Sequence, residues 1–251
     1  MVEALGGVTA AILAGGLGTR LRSAVADRPK VLAPVGGRPF LAYLLDRLAA
    51  AGLRKTVLLV GHAADQVRAA IGDNHAGMHI SYSCETTPLG TGGAVRLALA
   101  HFQEERVLLL NGDSFCDVDF AAFRESMLPR PHGVGLVLAK VADTSRYGRV
   151  RVEADGRVSR FEEKGGDPSA GWINAGAYLI PRDLIAAIPA GRPVSMEREV
   201  LPGWVEGVGV WGFPGGRFID IGTPESYAEA SAFFAHKNGP QIAQTSTPMK
   251  S

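Results

Sequence analysis

The chain has 251 residues, of which 46% are hydrophobic, so it is long enough for one α/β domain or two small ones with a substantial core. Its formal net charge of +1 excludes a general attraction to nucleic acid or to an acidic membrane, so any cationic site has to be local. Residues 1–7 lack the regions of a signal peptide, and no apolar run approaches the ~20 residues of a membrane helix, which predicts a soluble, cytoplasmic protein.

The first half of the chain alternates between predicted strands and predicted helices. Apolar runs predict strands over residues 8–13, 55–60, 78–83 and 106–110, and the spacing of apolar residues predicts helices over 39–51, 63–71 and 90–102. This β-α-β-α order up to about residue 120 predicts a parallel sheet with helices on both faces. In such sheets ligands bind beyond the carboxyl ends of the strands, where the segments after residues 13 and 110 lie.

A glycine-rich loop follows the first predicted strand, over residues 13–21, which read Leu-Ala-Gly-Gly-Leu-Gly-Thr-Arg-Leu. Its glycines let the backbone turn sharply and approach a ligand, and free N–H groups in such a turn suit phosphate. Arg20 and, further on, Lys30 add cations beside it. We interpret this loop as the grip on a nucleoside triphosphate.

Other glycine motifs fit the loop less well. It lacks the lysine and hydroxyl residue of a P-loop, and Leu21 stands where a dinucleotide-binding fingerprint needs its last glycine. A plain strand-to-helix turn remains the alternative, although Arg20 and Lys30 weigh against it.

The second half changes to a hairpin, longer strands and short helices. Asp155-Gly156 marks the hairpin turn, small residues at 175–177 interrupt a strand, and Thr223 and Pro224 begin a last helix that runs to about residue 234. The predicted strands cover 133–141, 149–153, 157–162, 172–180, 208–213 and 217–221, and the short helices cover 183–188 and 197–205.

These elements predict an α/β fold with a Rossmann-like, mixed and mostly parallel sheet flanked by helices. We expect a single domain over residues 1–237, in which a nucleotide-binding half (8–120) and a sugar-binding half (133–225) share one sheet, and a flexible tail over 238–251. Cys84 and Cys116 form no C-x-x-C pair and no zinc-ligand spacing, so we expect two buried free thiols.

Two acidic residues at the ends of apolar segments are candidates for a metal site. Asp113 follows the strand over 106–110, and Asp220 is flanked by apolar residues and then by glycine. A carboxylate in an apolar sheet needs water or a cation, so the pair is suited to hold Mg²⁺ together with phosphate oxygens. For Asp113, an N-cap of the following segment is the alternative.

Polar residues in the second half leave two interpretations open. Asn174 lies within an apolar strand, and its amide needs partners, which are either a sugar hydroxyl or the backbone. Taken alone, Glu162-Glu163-Lys164 reads as a solvated face at the end of the hairpin.

The ordered set of motifs resembles the sugar-1-phosphate nucleotidyltransferase superfamily, which includes glucose-1-phosphate thymidylyltransferases and mannose-1-phosphate guanylyltransferases. The resemblance spans residues 8 to about 225 and implies the nucleotide-diphospho-sugar transferase fold. The matching segments are the loop at 13–21, Arg28-Pro29-Lys30 with Pro34-Val35, residues 88–93 (Pro-Leu-Gly-Thr-Gly-Gly), Asn111-Gly112-Asp113, Glu162-Glu163-Lys164, Asn174-Ala175-Gly176 and residues 219–223 (Ile-Asp-Ile-Gly-Thr).

The resemblance implies a role for each matching residue. Nucleotide binding falls to Leu13, Ala14, Gly15, Gly16, Gly18, Thr19, Glu85, Gly90, Thr91 and Asn111. Sugar binding falls to Gly148, Glu163, Lys164 and Asn174, with Lys164 on the sugar phosphate. Catalysis falls to Arg20, Lys30, Asp113, Lys164 and Asp220, with Asp113 and Asp220 as the ligands of Mg²⁺.

The implied reaction is an in-line displacement at the α-phosphorus of a nucleoside triphosphate by a sugar 1-phosphate. The attacking phosphate oxygen is already an anion, so no strong general base is needed. Positioning and charge neutralisation by Mg²⁺, Lys and Arg then supply the catalysis.

Glu85 followed by residues 88–93 is more similar to the guanylyltransferase branch, because a carboxylate accepts hydrogen bonds from the guanine edge. Mannose-type members usually add a C-terminal β-helix domain. Since this sequence ends after the catalytic core, it is more similar to D-glycero-α-D-manno-heptose 1-phosphate guanylyltransferases of surface-polysaccharide pathways. One departure is Gly165-Gly166 after Lys164, where the family commonly has proline.

Several alternatives stay open. Within the family they are an N-acetylmuramate 1-phosphate uridylyltransferase and a mannose or glucose 1-phosphate nucleotidyltransferase. From other classes, they are a non-catalytic nucleotide-sugar sensor and, more weakly, an NAD-dependent dehydrogenase. The implied partners are GTP or another nucleoside triphosphate, a sugar 1-phosphate and a second copy of the chain, with no nucleic acid and no membrane.

Overall fold

A mixed sheet of ten strands forms the centre of the computed structural model. The structure describes residues 5, 7–16, 21, 25, 28–166 and 168–235. In these ranges the strands are β1 (Val8–Leu13), β2 (Pro34–Val35), β3 (Arg38–Pro39), β4 (Lys55–Val60), β5 (Asn74–His75), β6 (Met78–Cys84), β7 (Arg106–Asn111), β8 (Ser114–Cys116), β9 (Val134–Val141), β10 (Val150–Val152), β11 (Val158–Phe161), β12 (Gly171–Pro181), β13 (Val210–Pro214) and β14 (Phe218–Asp220). The α-helices are α1 (Phe40–Ala50), α2 (Ala64–Ile71), α3 (Gly90–Leu97), α4 (Phe120–Ser126), α5 (Arg182–Ala186), α6 (Leu201–Glu206) and α7 (Pro224–Ala235).

The strand order is β11-β10-β12-β7-β1-β4-β6-β5, and β9 pairs with both β12 and β13. Strands β7, β1, β4 and β6 are parallel neighbours, whereas β12 runs antiparallel to β7. Because β7 pairs with β1 on one side and with β12 on the other, one sheet runs through both predicted halves. The predicted α/β fold with a mixed, mostly parallel sheet flanked by helices is confirmed. The domain bounds stay a prediction, and the tail over 238–251 lies outside the described residues.

Alternation along the central strands explains why both faces of the sheet are covered. In β1, Ala10 and Ile12 enter one buried cluster and Ala11 enters the other; in β7, Leu108 and Leu109 divide in the same way. This is the period-two pattern of a strand that is buried on both sides. Helices α1 and α7 cover the first cluster, whereas α3, α5 and α6 cover the second.

Two short pairings, β2 with β3 and β8 with β14, were not predicted, and the second of them shapes the site. Strands β2 and β3 form a hairpin whose turn residues, Gly36 and Gly37, have φ of +56° and +80°. Positive φ at both turn positions is the requirement of a tight hairpin turn, and glycine meets it without strain. Strand β14 pairs antiparallel with β8, which places Asp220 opposite Ser114.

The predicted interruption at 175–177 is an irregularity inside the single strand β12. The pairing with β9 shifts between Asn174 and Tyr178, and Gly176 has φ of +76°. A β-carbon there would lie 2.6 Å from Ser114 Oγ and 2.8 Å from Asn111 Nδ2. Glycine therefore allows β12 to pass close to the chain that follows β7.

Apart from β5 and α4, which were not predicted, the remaining elements agree with the predictions except for short shifts at their ends. The predicted helix over 90–102 is α3 followed by a 3₁₀ turn, Ala98–His101, and the helix over 197–205 begins as a π-helical turn, Met196–Val200. Helix α4 was not predicted; Asp119 caps it by accepting from two backbone N–H groups. In the ranges given above, none of the helices combines the length and apolarity needed to cross a membrane.

The prediction that both cysteines are buried is wrong for Cys84. Cys116 is buried, but Cys84 is exposed. Cys84 is the last residue of β6, a strand near the edge of the sheet, where the outer strand β5 has only two residues.

Candidate nucleotide-binding and catalytic site

The carboxyl ends of β1, β4, β6 and β7 meet at one edge of the sheet. Leu13 at the end of β1 pairs with Asn111 at the end of β7, and Gly112 N donates to the Leu13 carbonyl at 3.0 Å. A β-carbon on Gly112 would collide with that carbonyl, so the sharp turn after β7 requires glycine. The edge is the place where ligands bind in parallel α/β sheets.

The glycine loop begins at this edge. A β-carbon on Gly15 would lie 3.1 Å from Gly61 N and 3.5 Å from Glu85 Oε1, whereas one on Gly16 would have no described atom outside its own chain neighbours within 4 Å. Leu13 and Ala14 connect the loop to the sheet, since Ala14 N donates to the carbonyl of a β4 residue. The predicted contributions of Gly18, Thr19 and Arg20 lie outside the described residues.

Lys30 and Asp113 form an ion pair at the end of β7, with 2.7 Å between Lys30 Nζ and Asp113 Oδ2. The Lys30 side chain is 14% exposed and that of Asp113 is 43% exposed. Lys30 begins a 3₁₀ turn, Lys30–Leu32, whose two following residues are buried and fix its position. The alternative that Asp113 caps a helix is wrong, because β8 follows it directly.

The Asp220 carboxylate is held by several hydrogen bonds. Oδ1 accepts from Gly222 N at 2.7 Å and from Ser226 Oγ at 3.0 Å. Arg146 Nη2 lies 2.5 Å from Oδ1 and 2.8 Å from Oδ2. Burial, and then the charge of Asp220, raise the pKa of Tyr147 to about 12, so that its hydroxyl stays protonated beside this carboxylate.

The pairing of β14 with β8 brings the two candidate metal ligands into one pocket. Ile221 N donates to the Asp113 carbonyl at 2.9 Å. A β-carbon on Gly222 would lie 3.1 Å from Asp220 Oδ1 and 3.5 Å from Lys30 Nζ. Asp113, Asp220 and Lys30 are therefore neighbours, although they come from three distant segments.

The donor chemistry of this pocket fits Mg²⁺. Within the described ranges no group of three or more His, Cys, Asp or Glu side chains is arranged around a metal position. The two carboxylates of Asp113 and Asp220 lie near Lys30 instead, and magnesium is commonly bound by one or two carboxylates with the rest of its ligands from substrate phosphates and water.

Glu85 lies on the β6 side of the same edge. Its Oε2 accepts from Leu89 N at 3.0 Å, which orients the carboxylate. Its Oε1 would lie 2.9 Å from a β-carbon on Gly61, so the backbone of β4 passes close to it. Glu85 and Gly15 thus lie side by side at the carboxyl edge of the sheet, which is the position that a base-contacting role would require.

Gly90 and Thr91 begin α3 and contact the segment before the π-helical turn. Gly90 has φ of +68°, and a β-carbon there would lie 2.6 Å from the Val194 carbonyl oxygen. Thr91 Oγ1 donates to Glu197 Oε2 at 3.1 Å and accepts from Met196 N at 2.9 Å. Both predicted nucleotide-binding residues therefore connect two parts of the fold in addition to lying near the site.

Asn111, Asn174 and Tyr178 form a polar cluster between β7 and β12. Asn174 Nδ2 donates to the Tyr178 hydroxyl at 2.8 Å, and its Oδ1 accepts from Gly176 N at 2.8 Å. The alternative in which the Asn174 amide bonds the backbone is thus correct for its oxygen, whereas its nitrogen bonds the Tyr178 hydroxyl. Burial raises the pKa of Tyr178. Among the described residues, the buried Asn111 Oδ1 has no hydrogen-bond partner.

The remaining predicted sugar-binding residues lie on adjacent loops. Gly148 has φ of +79°, and a β-carbon there would lie 2.5 Å from the Glu162 carbonyl oxygen. Glu163 and Lys164 are exposed, and Gly165 N donates to the Ser145 carbonyl at 2.8 Å. The structure thus joins the loop of Lys164 to the loop of Gly148, but it shows no contact of Glu163 or Lys164 with the described acids.

Sequence reasoning missed Arg146 and Glu197. Arg146 binds Asp220, and Glu197 receives hydrogen bonds from Thr91 and Ser195. Arg146 lies only two residues before the predicted Gly148, which was the one available signal. Glu197 lies in a predicted helix with no polar pattern that singles it out.

A family model described as nucleotidyl transferase matches residues 9–237 of the chain. The chain belongs to the nucleotidyl transferase family. The match covers the glycine loop, Lys30, both acids and the start of α7, so the segments that meet at the sheet edge are family segments.

Curated relatives and a solved structure agree with this membership. The chain is 37% identical over 229 residues to mannose-1-phosphate guanylyltransferase of Mycobacterium tuberculosis. This match covers 90% of this chain but only 64% of that relative. It is 35% identical over 228 residues to D-glycero-alpha-D-manno-heptose 1-phosphate guanylyltransferase of Aneurinibacillus thermoaerophilus, covering 90% of this chain and 98% of that relative. The crystal structure of HddC from Yersinia pseudotuberculosis, complexed with GMP-PN, has a TM-score of 0.80 and 33% identity over 90% of this chain and 99% of HddC.

Proposed function

We propose that this nucleotidyl transferase is a guanylyltransferase that converts GTP and a sugar 1-phosphate of manno configuration into a GDP-sugar and pyrophosphate. Relatives that are named as guanylyltransferases of heptose 1-phosphate or mannose 1-phosphate support this choice. We select D-glycero-α-D-manno-heptose 1-phosphate as the sugar, because relatives named as guanylyltransferases of this sugar are 35% and 34% identical to the chain.

The observation that carries the proposal is the meeting of Lys30, Asp113 and Asp220 beside the start of the glycine loop. Lys30 Nζ is 2.7 Å from Asp113, and Asp220 lies on the strand that pairs with the residues after Asp113. Two acids, a lysine and open backbone at one sheet edge suit a triphosphate with its metal.

In the proposed reaction, each step depends on particular residues. The phosphate oxygen of the sugar 1-phosphate attacks the α-phosphorus of GTP, the bond from that phosphorus to the bridging oxygen breaks, and pyrophosphate leaves. Lys30 neutralises the α-phosphate, and Gly15 and Gly16 leave room for the other phosphates close to the backbone. Lys164 binds the sugar phosphate and holds it in line, so that positioning and neutralisation supply the rate.

Nucleotidyl transfer to a phosphate generally uses a divalent metal, which neutralises the triphosphate and orients its oxygens. We propose Mg²⁺, held by Asp113 and Asp220. The side chains that surround these acids, Lys30 and Arg146, keep the pocket near neutrality before a substrate binds.

Glu85 is proposed to read the base. Its carboxylate is fixed by Leu89 N and lies beside the backbone of Gly15 and Gly61. A carboxylate accepts hydrogen bonds from the N1–H and N2–H₂ groups of guanine, which uracil and thymine do not offer together.

The setting of the reaction is also part of the proposal. A GDP-heptose is a donor for surface polysaccharides, and its synthesis in the cytoplasm fits a chain without a membrane-spanning helix in its described ranges. We further propose a homodimer, which light scattering on the purified full chain would decide.

A grid of five nucleoside triphosphates against several sugar 1-phosphates, with pyrophosphate release as the readout, tests the proposal. We expect the highest kcat/KM with GTP and the heptose 1-phosphate, and dependence on Mg²⁺. A maximum with UTP and N-acetylmuramate 1-phosphate would favour that alternative. Tight nucleotide binding in a calorimetric titration without any turnover would identify a sensor instead.

A further inference from the structure

Each of the two acids proposed to hold the metal is already paired with a cation of the chain. Asp113 is paired with Lys30, and Asp220 is paired with Arg146. Lys30 has a proposed role on the α-phosphate, but Arg146 has none. Its contact is also the closer one, because a single guanidinium nitrogen lies 2.5 Å and 2.8 Å from the two carboxylate oxygens.

The Asp220 carboxylate already accepts most of the hydrogen bonds that its two oxygens can accept. Oδ1 accepts from Gly222 N, Ser226 Oγ and Arg146, and Oδ2 accepts from Arg146. Only 14% of the side chain is exposed. A carboxylate offers about two lone-pair sites on each oxygen, so Oδ1 is fully used, and a metal ion that approaches Oδ2 competes with the Arg146 guanidinium for that oxygen.

Arg146 is the donor that is able to withdraw. Gly222 N is backbone beside Asp220, and Ser226 is buried at the start of α7, whereas 38% of the Arg146 side chain is exposed. The Arg146 guanidinium also lies over the Tyr147 ring, 5.0 Å from its centroid, and this contact does not depend on Asp220. A divalent cation at the same carboxylate would repel the guanidinium at short range.

We propose that Arg146 is a positioning residue that occupies the place of the divalent cation on Asp220 and is displaced when the metal binds. The inference rests on the proposed function, because it takes Asp113 and Asp220 as the metal ligands. It predicts that Arg146 keeps Asp220 oriented in the metal-free protein and weakens the binding of the metal. The released guanidinium stays in the loop that also carries Gly148.

The test measures binding of Mn²⁺ alone to the full chain, without nucleotide or sugar, by the electron paramagnetic resonance signal of free Mn²⁺. We expect Arg146→Gln to bind Mn²⁺ at least about tenfold more tightly than the wild type, the lower end of what a neighbouring arginine does to the proton affinity of a carboxylate. Arg146→Lys should fall between the two. Arg38→Gln removes an exposed ion pair with Asp46 and should leave Mn²⁺ affinity unchanged.

Thermal unfolding gives a second readout that does not involve turnover. Without metal, Arg146→Gln should unfold at a lower temperature than the wild type, because Asp220 loses its cation. Saturating Mn²⁺ should remove most of that difference. A merely structural arginine would lower the unfolding temperature equally with and without metal, and that result would overturn the inference.

Asp220→Asn separates the failure of the inference from the failure of the proposed function. If Asp220→Asn abolishes Mn²⁺ binding while Arg146→Gln binds no more tightly than the wild type, the inference is wrong and the metal site stands. If neither the wild type nor Arg146→Gln binds Mn²⁺, or if binding survives in Asp220→Asn, both are wrong. Should Arg146→Gln fail to fold, Arg146→Lys, with the same two comparisons, decides the outcome.

Discussion

Lys30 and Asp113 are 83 residues apart in the chain, yet the lysine nitrogen lies 2.7 Å from the aspartate oxygen. The pair connects the segment after the glycine loop to the turn that ends β7. Since the lysine side chain is mostly buried and the aspartate side chain is half-exposed, the carboxylate is the more accessible of the two groups and the ammonium lies deeper in the protein.

Lys30→Met should lower kcat/KM for pyrophosphate release by about a hundredfold or more, because the developing charge on the α-phosphate loses its fixed cation. Lys55→Met, which replaces an exposed lysine at the start of β4, is the matched control and should have near-normal activity. Equal activity of both variants in the same coupled assay would contradict the role of Lys30.

Asp113→Asn should lower turnover by about two orders of magnitude, because one of two proposed metal ligands is lost and Lys30 loses its partner. Far-ultraviolet circular dichroism should show an unchanged fold. The exposed Asp65 of α2 provides the control Asp65→Asn. The assignment fails if raising the Mg²⁺ concentration has the same effect on both variants.

Lys164→Ala should raise KM for the sugar 1-phosphate more than KM for GTP. The loss in kcat/KM should be roughly ten- to a hundredfold, the effect of removing a hydrogen bond to a charged group. Lys140→Ala, at an exposed lysine that lies over the Trp172 ring, serves as the control. A selective rise in KM for GTP would instead place Lys164 on the nucleotide.

Glu85→Gln should reduce the preference for GTP over UTP, because the amide replaces one acceptor with a donor. Gly61→Ala should act in the same direction, since its β-carbon would lie 2.9 Å from Glu85 Oε1 and displace the carboxylate. Glu104→Gln, at an exposed position before β7, should keep the ratio. An unchanged ratio of kcat/KM values in both Glu85→Gln and Gly61→Ala would remove Glu85 from base recognition.

The two cysteines should differ in reactivity. Burial raises the pKa of the Cys116 thiol to about 12, so at pH 8 it stays protonated and unreactive, because the thiolate is the nucleophile. Cys84 is exposed. Iodoacetamide at pH 8 should therefore label one thiol in the folded protein and two after unfolding in urea, with Cys84→Ser leaving none in the folded state. Rapid labelling of Cys116 would show that its surroundings open.

The strands and helices that could be predicted are those whose apolar pattern is long. The run at 8–13 is readable because a strand buried on both faces is continuously apolar, and the pattern around 40–48 is readable because burial on one face of a helix repeats every third to fourth residue. The prediction that Cys84 is buried is wrong because a single exposed position at the end of a strand does not alter the apolar pattern of that strand.

The meeting of Asp113 with Asp220 could not be derived from local patterns. It depends on the pairing of β8 with β14, two strands of three residues each, which are too short to show a period. The contact between Arg146 and Asp220 spans 74 residues and has no local signal at all. The hairpin at Gly36-Gly37, by contrast, does have a local signal, because two consecutive glycines are typical of a tight hairpin turn.

The backbone hydrogen bond from Gly165 N to the Ser145 carbonyl joins the residue after Lys164 to the residue before Arg146. If Arg146 moves away from Asp220 as proposed, this connection transmits the movement to the loop of Lys164, the residue proposed to bind the sugar phosphate. Binding of the cation and binding of the sugar phosphate are then thermodynamically coupled, and each alters the affinity of the other by the same factor. Gly165 and Gly166 follow Lys164 in this loop, and because glycine leaves the backbone many conformations, they limit how much of that movement reaches Lys164.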